Sequence, residues 1–266
     1  MQNQSSSQFA VVTGASSGIG LELARQFARH GFDLLITSES DRVHSAAEEL
    51  RSLGVIVTTT QADLRTYEGV ESLYARIKAE ARPVDAIAIN AGVGVGGPFL
   101  ETDLQREIDL IQLNVVSVVH LAKRVLKDMV DRDQGRILFT ASIAAEMPAP
   151  FEAVYGASKA FVLSFAEALR NEVKDSNVVI TALQPGATET NFFHRAGMDD
   201  TKVGTDRKSD PATVAKAGFE ALMKNKDHVV AAMTKEKIQV ALGQVTPEKI
   251  KAEQHRKIAE PGSAHS

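Results

Sequence analysis

Short runs rich in Val, Ile and Leu punctuate the chain at residues 9–13, 32–37, 55–62, 84–90, 136–141, 178–184 and 228–232. Near-continuous apolar runs of this length predict strands buried on both faces of a sheet. Between them, apolar positions recur at helical spacing over residues 21–30, 41–53, 68–81, 103–130, 154–173 and 211–225, with Gly31, Gly54 and Gly135 near the joins. This alternation predicts an α/β fold: a parallel sheet of about seven strands with helices on both faces, because the crossovers are right-handed. Ligands of such sheets bind beyond the carboxyl ends of the strands, so the residues just after each strand are the candidates for function.

Two stretches break the alternation. Residues 186–210 have no clear period and are rich in Thr, Asp, Gly and Lys, which at this length reads as a functional lid. Residues 233–266 read as a charged C-terminal extension with a helix around residues 246–258 and a frayed end. At the other end, residues 1–8 are polar and read as a flexible N-terminus, without the charged flank and apolar core of a secretory signal. No linker or like-charge block interrupts residues 9–232, which therefore read as a single domain.

Composition narrows the function classes. Hydrophobic residues fill 44% of the 266 positions, ample for one large core. Lys and Arg number 30 against 34 Asp and Glu, a net charge of -4 with mixed signs, which argues against a nucleic-acid partner. The absence of cysteine excludes disulfides, thiolate metal ligands and thiol nucleophiles. No segment is long and apolar enough to span a bilayer, so a soluble, cytoplasmic protein without a membrane partner is expected.

The first strand runs into Gly14-Ala15-Ser16-Ser17-Gly18-Ile19-Gly20 and then directly into a helix. Glycines there let the backbone approach a pyrophosphate, and the helix N-terminus offers it unpaired N–H groups. The spacing is G-x-x-x-G-x-G rather than the general G-x-G-x-x-G. An ordinary Gly/Ser-rich connection explains isolated glycines, but it explains this set at the first strand-to-helix turn poorly. The second strand ends at Ser38-Glu39, where an acidic residue reads the adenosine ribose of NAD or a basic one a 2'-phosphate. A 2'-phosphate against Glu39 would cost on the order of 1 to 4 kcal/mol, enough for a tenfold preference, so NAD is expected over NADP. Glu39 reads equally as a solvated loop charge, and Arg42 is close enough in sequence to swing in. After the third strand, Asp63-Leu64 is placed to meet an adenine. After the fourth, Asn90-Ala91-Gly92 is placed near the centre of a dinucleotide.

The fifth strand ends at Ser142, whose hydroxyl can hydrogen-bond a substrate oxygen. It is not a hydrolase nucleophile: the G-x-S-x-G turn is missing, and no motif marks His120 or His194 as its partner. On the next helix Tyr155 and Lys159 stand four apart and share a face. A free tyrosine titrates near ~10, and a nearby cation favours its phenolate, so the pair is a proton-transfer device. Surface helices show the same spacing without function, and the surrounding motifs decide between the two. Asn114, a polar residue inside an apolar helical run, reads either as a core amide bonded to backbone or as a water-holding residue that links the lysine to solvent.

Taken together in order, these residues resemble the short-chain dehydrogenase/reductase family, over residues 9–232. The resemblance rests on Gly14, Gly18 and Gly20, on Asn90-Ala91-Gly92, on Ser142 with Tyr155-x-x-x-Lys159, and on Pro185-Gly186 followed by Thr188 and Thr190. It implies a Rossmann-like doubly wound catalytic domain that binds a dinucleotide and transfers hydride, without a metal, between a nicotinamide cofactor and a small alcohol or carbonyl substrate. By the same resemblance Tyr155 is the acid/base, Ser142 polarises the substrate oxygen, and Lys159 binds the nicotinamide ribose and lowers the tyrosine pKa. Asn114 becomes the fourth catalytic residue, and residues 185–190 hold the carboxamide through a threonine and backbone groups. NADP-using relatives carry basic residues where this chain has Ser17, Ser38 and Glu39, which again favours NAD. Relatives form homodimers or homotetramers through the long helices, and Phe161, Val162 and Phe165 suit that role or face the sheet.

Met147, Pro148, Phe151, Phe192 and Phe193 flank the site in sequence and hint at an apolar substrate, although core packing explains them nearly as well. The competing reading is a dinucleotide-binding regulator that keeps the fold and performs no turnover. An intact Ser142, Tyr155 and Lys159 argues against it.

Overall fold

The computed structural model describes residues 7–243 and 246–265. Residues 1–6 of the expected flexible N-terminus lie outside them. The strands are β1 (Phe9–Thr13), β2 (Asp33–Ser38), β3 (Val57–Gln61), β4 (Ala86–Ile89), β5 (Gly135–Thr140), β6 (Val178–Pro185) and β7 (His228–Ala231). They pair in the order β3-β2-β1-β4-β5-β6-β7, every pair parallel. The crossovers are built on α1 (Gly18–Arg29), α2 (Arg42–Arg51), α3 (Tyr67–Ala79), α4 (Leu104–Ile111), α5 (Ser117–Asp131), α6 (Ala153–Glu172) and, after two short helices α7 (Phe192–Ala196) and α8 (Lys202–Thr205), α9 (Pro211–Met223). The chain closes with α10 (Thr234–Gly243) and α11 (Glu248–Ala259). No helix among the described residues is long and apolar enough to cross a membrane.

Side chains alternate across each strand, so one sheet feeds two cores. Val11, Leu35, Ile87, Ile137 and Phe139 pack with α3, α5 and α6 on one face. Their neighbours Ala10, Val12, Leu34, Ile36 and Leu138 pack with α1, α2 and α9 on the other. The order reverses between β1 and β4, and this switch opens the crevice in which such sheets bind ligands.

Two expectations need correction. The helix expected over residues 103–130 is divided by a π-helical turn at Gln112–Val116, which holds Asn114. One extra residue in that turn lets the Asn114 amide bond another segment without ending the helix. The C-terminal end, expected to fray, closes in a 3-10 turn at Ser263–His265, where Lys202 N–H donates to Ser263 Oγ and Ala264 N–H to the Asp200 carbonyl. Residues 186–210 do carry structure, as α7 and α8, and the backbone pairs Thr188 with Ser209.

Candidate active site

The β1–α1 turn is shaped to receive phosphate. Ser17 is the extended N-cap of α1 and its side chain makes no capping hydrogen bond, so the first N–H groups of the helix are left to a ligand. Gly18 has φ +57, and a Cβ there would lie 2.9 Å from Thr190 Cγ2. A Cβ on Gly20 would overlap the Gly14 carbonyl oxygen and the Asn90 amide. The backbone is bare where a dinucleotide pyrophosphate would lie, so these residues fit that group.

On the adenosine side, buried Ser38 donates to Ser16 Oγ at 3.0 Å. Glu39 meets a cation there, but not Arg42, whose Nε turns to Ser40 Oγ. The cation is Arg65, with Nη2 3.1 Å from Glu39 Oε2, 2.8 Å from Asp63 Oδ2 and Nη1 3.5 Å from Asp109 Oδ2. Hydrogen bonding to Arg65 holds the Asp63 carboxyl below its ordinary pKa despite partial burial. The carboxylate expected to meet an adenine is thus already bound to a neighbour two residues away.

At the centre, Thr13 Oγ1 accepts from the N–H groups of Asn90 and Ala91, both at 2.9 Å. The Asn90 amide donates to the Thr13 carbonyl and accepts from Thr140 Oγ1, tying together the ends of β1, β4 and β5. Asn114 is buried: Oδ1 accepts from Val93 N–H at 3.0 Å, and Nδ2 donates to the Val93 carbonyl at 2.9 Å and to Ser158 Oγ at 3.1 Å. The backbone-bonded amide, one of its two readings, is therefore what the geometry contains. A Cβ placed on Gly92 would be 3.1 Å from Asn114 Oδ1 and 3.3 Å from Lys159 Nζ, so both groups converge on that glycine.

Beyond the end of β5, Ser142 Oγ accepts from Ala144 N–H at 3.1 Å. Lys159 is buried and its Nζ donates to the Thr140 carbonyl at 2.9 Å, 5.8 Å from the centre of the Tyr155 ring. Burial pushes the lysine pKa down to about 8. Tyr155 is half-buried on the cleft wall, its ring 5.1 Å from that of Phe192. Protein packed around the phenol raises its pKa, the Glu152 charge raises it further, and the Ser142 hydroxyl pulls the other way.

One cleft along the carboxyl edge collects Gly14, the Ser16–Gly20 turn, Ser38, Glu39, Asp63, Leu64, the Asn90–Gly92 segment, Ser142, Tyr155, Lys159, Pro185, Gly186, Thr188 and Thr190. Asn114 does not line it and stands behind Gly92. Of the apolar residues flanking the site in sequence, Met147, Phe192 and Phe193 line the cleft, whereas Phe151 packs in the cluster of Phe193, Ala196, Met198 and Ala259, with its backbone at φ 64. Sequence reasoning missed Arg65, Glu152, Glu236 and His255. Glu236 accepts from the N–H groups of Ala187 and Met233 and so anchors the loop after β6. Glu236 and His255 carry no local signal, because they reach the cleft from the C-terminal extension. Arg65 lies two residues past Asp63, but its approach to Glu39 comes from the pairing of β2 with β3.

The family profile described as short chain dehydrogenase matches residues 8–201. The chain belongs to the short-chain dehydrogenase family. This short-chain dehydrogenase is 36% identical over 206 residues to the oxidoreductase UcpA of Salmonella typhimurium, covering 77% of this chain and 76% of the relative. A solved short-chain dehydrogenase from Sphingobium yanoikuyae in complex with NADPH is similar with a TM-score of 0.81 at 29% identity, over 90% of this chain and 93% of that one. A short-chain dehydrogenase/reductase from Burkholderia phymatum in complex with NAD shares the fold with a TM-score of 0.80 at 24% identity, over 89% and 92%. The protein is accordingly an oxidoreductase that transfers hydride between a nicotinamide cofactor and an alcohol or carbonyl, and a non-catalytic binder is not favoured.

Proposed function

We propose that Tyr155 is the acid/base of this reaction, with Ser142 and Lys159 as its partners, NAD as the preferred cofactor and an apolar alcohol or ketone as the substrate. The observation that carries the reading is the convergence of Ser142, Tyr155 and Lys159 at one end of a cleft whose other end is the glycine turn. A bound nicotinamide supplies the hydride acceptor or donor. In oxidation, Tyr155 as phenolate takes the proton of the substrate hydroxyl while Ser142 Oγ hydrogen-bonds the same oxygen. In reduction, the Tyr155 phenol protonates the developing alkoxide. Lys159, held by the Thr140 carbonyl, keeps a positive charge near the phenol and favours its ionised form. Asn114 fixes the backbone at Val93 and, through Ser158, the turn of α6 that carries Tyr155, since Ser158 Oγ donates to the Tyr155 carbonyl.

The preference for NAD is supported by Glu39 at the end of β2, and Arg65 tempers it by offsetting part of the Glu39 charge. Met147, Phe192, Phe193, Val203 and Ile258 on the wall beside Tyr155 support an apolar substrate. A homodimer or homotetramer is supported by the apolar side chains left exposed on α4 to α6: Leu104, Ile108 and Ile111 share one face of α4, with Val119 and Phe161 beyond. Of the three residues considered for that role, only Phe161 points outward, because Val162 is buried and Phe165 packs on the core.

The test is spectrophotometric: reduction of bulky apolar ketones with NADH and NADPH, repeated with Tyr155→Phe. Turnover is expected to fall by about 10²- to 10⁴-fold while cofactor binding persists. Wild-type rates in the variant would remove Tyr155 from the mechanism.

A further inference from the structure

The C-terminal helix α11 lies over the segment between Ser142 and Tyr155. Lys251 Nζ donates to the Glu146 carbonyl at 3.2 Å, the Arg256 guanidinium stands 5.0 Å over the Phe151 ring, and His255 Nε2 lies 3.2 Å from Glu152 Oε2. Glu152 is 5% exposed and His255 6%, and both line the same cleft as Tyr155, beside Met147, Phe192, Phe193 and Ile258. A carboxylate and an imidazole are thus set beside these apolar side chains, and Arg195 also lines the cleft.

The imidazole is not satisfied internally. His255 Nε2 has no hydrogen-bond partner among the described residues, so the 3.2 Å approach to Glu152 Oε2 is a close contact without hydrogen-bond alignment. Glu152 is the N-cap residue of α6, yet its side chain makes no capping bond and is directed to His255 instead. Buried polar atoms are normally bonded, and an unbonded one on the wall of a substrate cleft points to a bond that the substrate completes. Docking of α11 does not require the pair, since Ala259 packs with Phe193, Ala196 and Met198, and the following turn is tied to Asp200 and Lys202.

We propose that Glu152 and His255 form a polar subsite for a second hydroxyl on the substrate, so that the physiological substrate is a hydroxylated ketone or a diol with an otherwise apolar skeleton. A hydroxyl suits both members: its proton goes to the Glu152 carboxylate, and its oxygen accepts from His255 Nε2–H. A simple hydrocarbon ketone fits the wall but leaves His255 Nε2 without a hydrogen-bond partner, which is how a site built around a hydroxyl rejects the analogue lacking it. The inference rests on the oxidoreductase reading and adds the chemistry of the far end of the substrate.

The experiment compares kcat/KM for cyclohexanone and decalone with that for their ring-hydroxylated derivatives, in the wild type, His255→Phe and His255→Gln. The wild type is expected to prefer at least one hydroxylated ketone over its parent by about tenfold or more, the effect of one hydrogen bond to a charged group. His255→Phe is expected to bring that ratio close to one, and His255→Gln to keep part of it. Circular dichroism and melting curves identify a variant that fails to fold, in which case His255→Gln and Glu152→Leu carry the comparison. Turnover of both ketone classes without preference, or a preference that survives loss of His255, overturns the subsite and leaves the oxidoreductase reading intact. Absence of turnover on every ketone with either cofactor overturns that reading, and the subsite with it.

Discussion

Arg65 Nη2 stands 3.1 Å from Glu39 Oε2, so the carboxylate proposed to read an adenosine ribose is paired with a guanidinium from the next strand's loop. Glu39 is exposed and Arg65 partly so, which keeps the interaction weak and the two charges separable by mutation. Glu39→Ala leaves Arg65 available to a 2'-phosphate and is expected to raise the NADPH/NADH affinity ratio about tenfold. Arg65→Ala leaves Glu39 uncompensated and is expected to lower it. Fluorescence titration with the two reduced cofactors reads both, and opposite signs are the required outcome.

Lys159 costs the apo fold stability at neutral pH. The unfolded lysine keeps its ordinary value of 10.5, whereas burial brings the folded one down to about 8. Below about pH 8 both forms are protonated and the penalty is complete, and it is relieved as pH rises from about 8 towards 10.5. Lys159→Met is therefore expected to stabilise the apo protein at pH 7 by up to about 3 kcal/mol while removing turnover. The advantage should shrink by pH 10 in denaturant titrations. Tyr155, with its raised pKa, affects stability only above about pH 10, outside this window.

Gly18→Ala tests the phosphate turn. An alanine at φ +57 costs about 1–2 kcal/mol, and its methyl group would press on Thr190 Cγ2. We expect a lower melting temperature and weaker binding of both NADH and NADPH, with the NADPH/NADH ratio unchanged. A change in that ratio would show that the turn reads the ribose as well as the pyrophosphate.

Phe161→Asp tests self-association. A charge on the exposed apolar face of α4 to α6 is expected to convert a dimer or tetramer into smaller species in light scattering. Its cost within the subunit is the lost stacking on Phe165, ring centroids 5.6 Å apart, and melting curves separate that loss from dissociation. A mass unchanged from the wild type would remove this face from the interface.

Much of the site was legible because strand ends in a parallel sheet are addressed by sequence order. Gly18, Ser142 and Tyr155 each follow or flank a strand whose apolar run could be counted, and the fold then brings those ends to one edge. Asn114 was visible as a polar residue in an apolar helix, but the π turn that aims its amide at Val93 leaves no local mark. Arg65 was passed over because its proximity to Glu39 depends on the pairing of β2 with β3.

Periodicity and strand-end motifs, which are local properties of the chain, determined the α/β class and the number of strands, and marked the glycine turn and the Tyr155/Lys159 pair as candidates. Tertiary structure alone decided that α11 returns to the cleft from about a hundred residues beyond Tyr155 and sets His255 against Glu152. The physical reason is that burial and charge pairing between distant segments arise only when the chain has packed. Arg65 reaches Glu39 in the same way, whereas the glycine turn is written within a few residues.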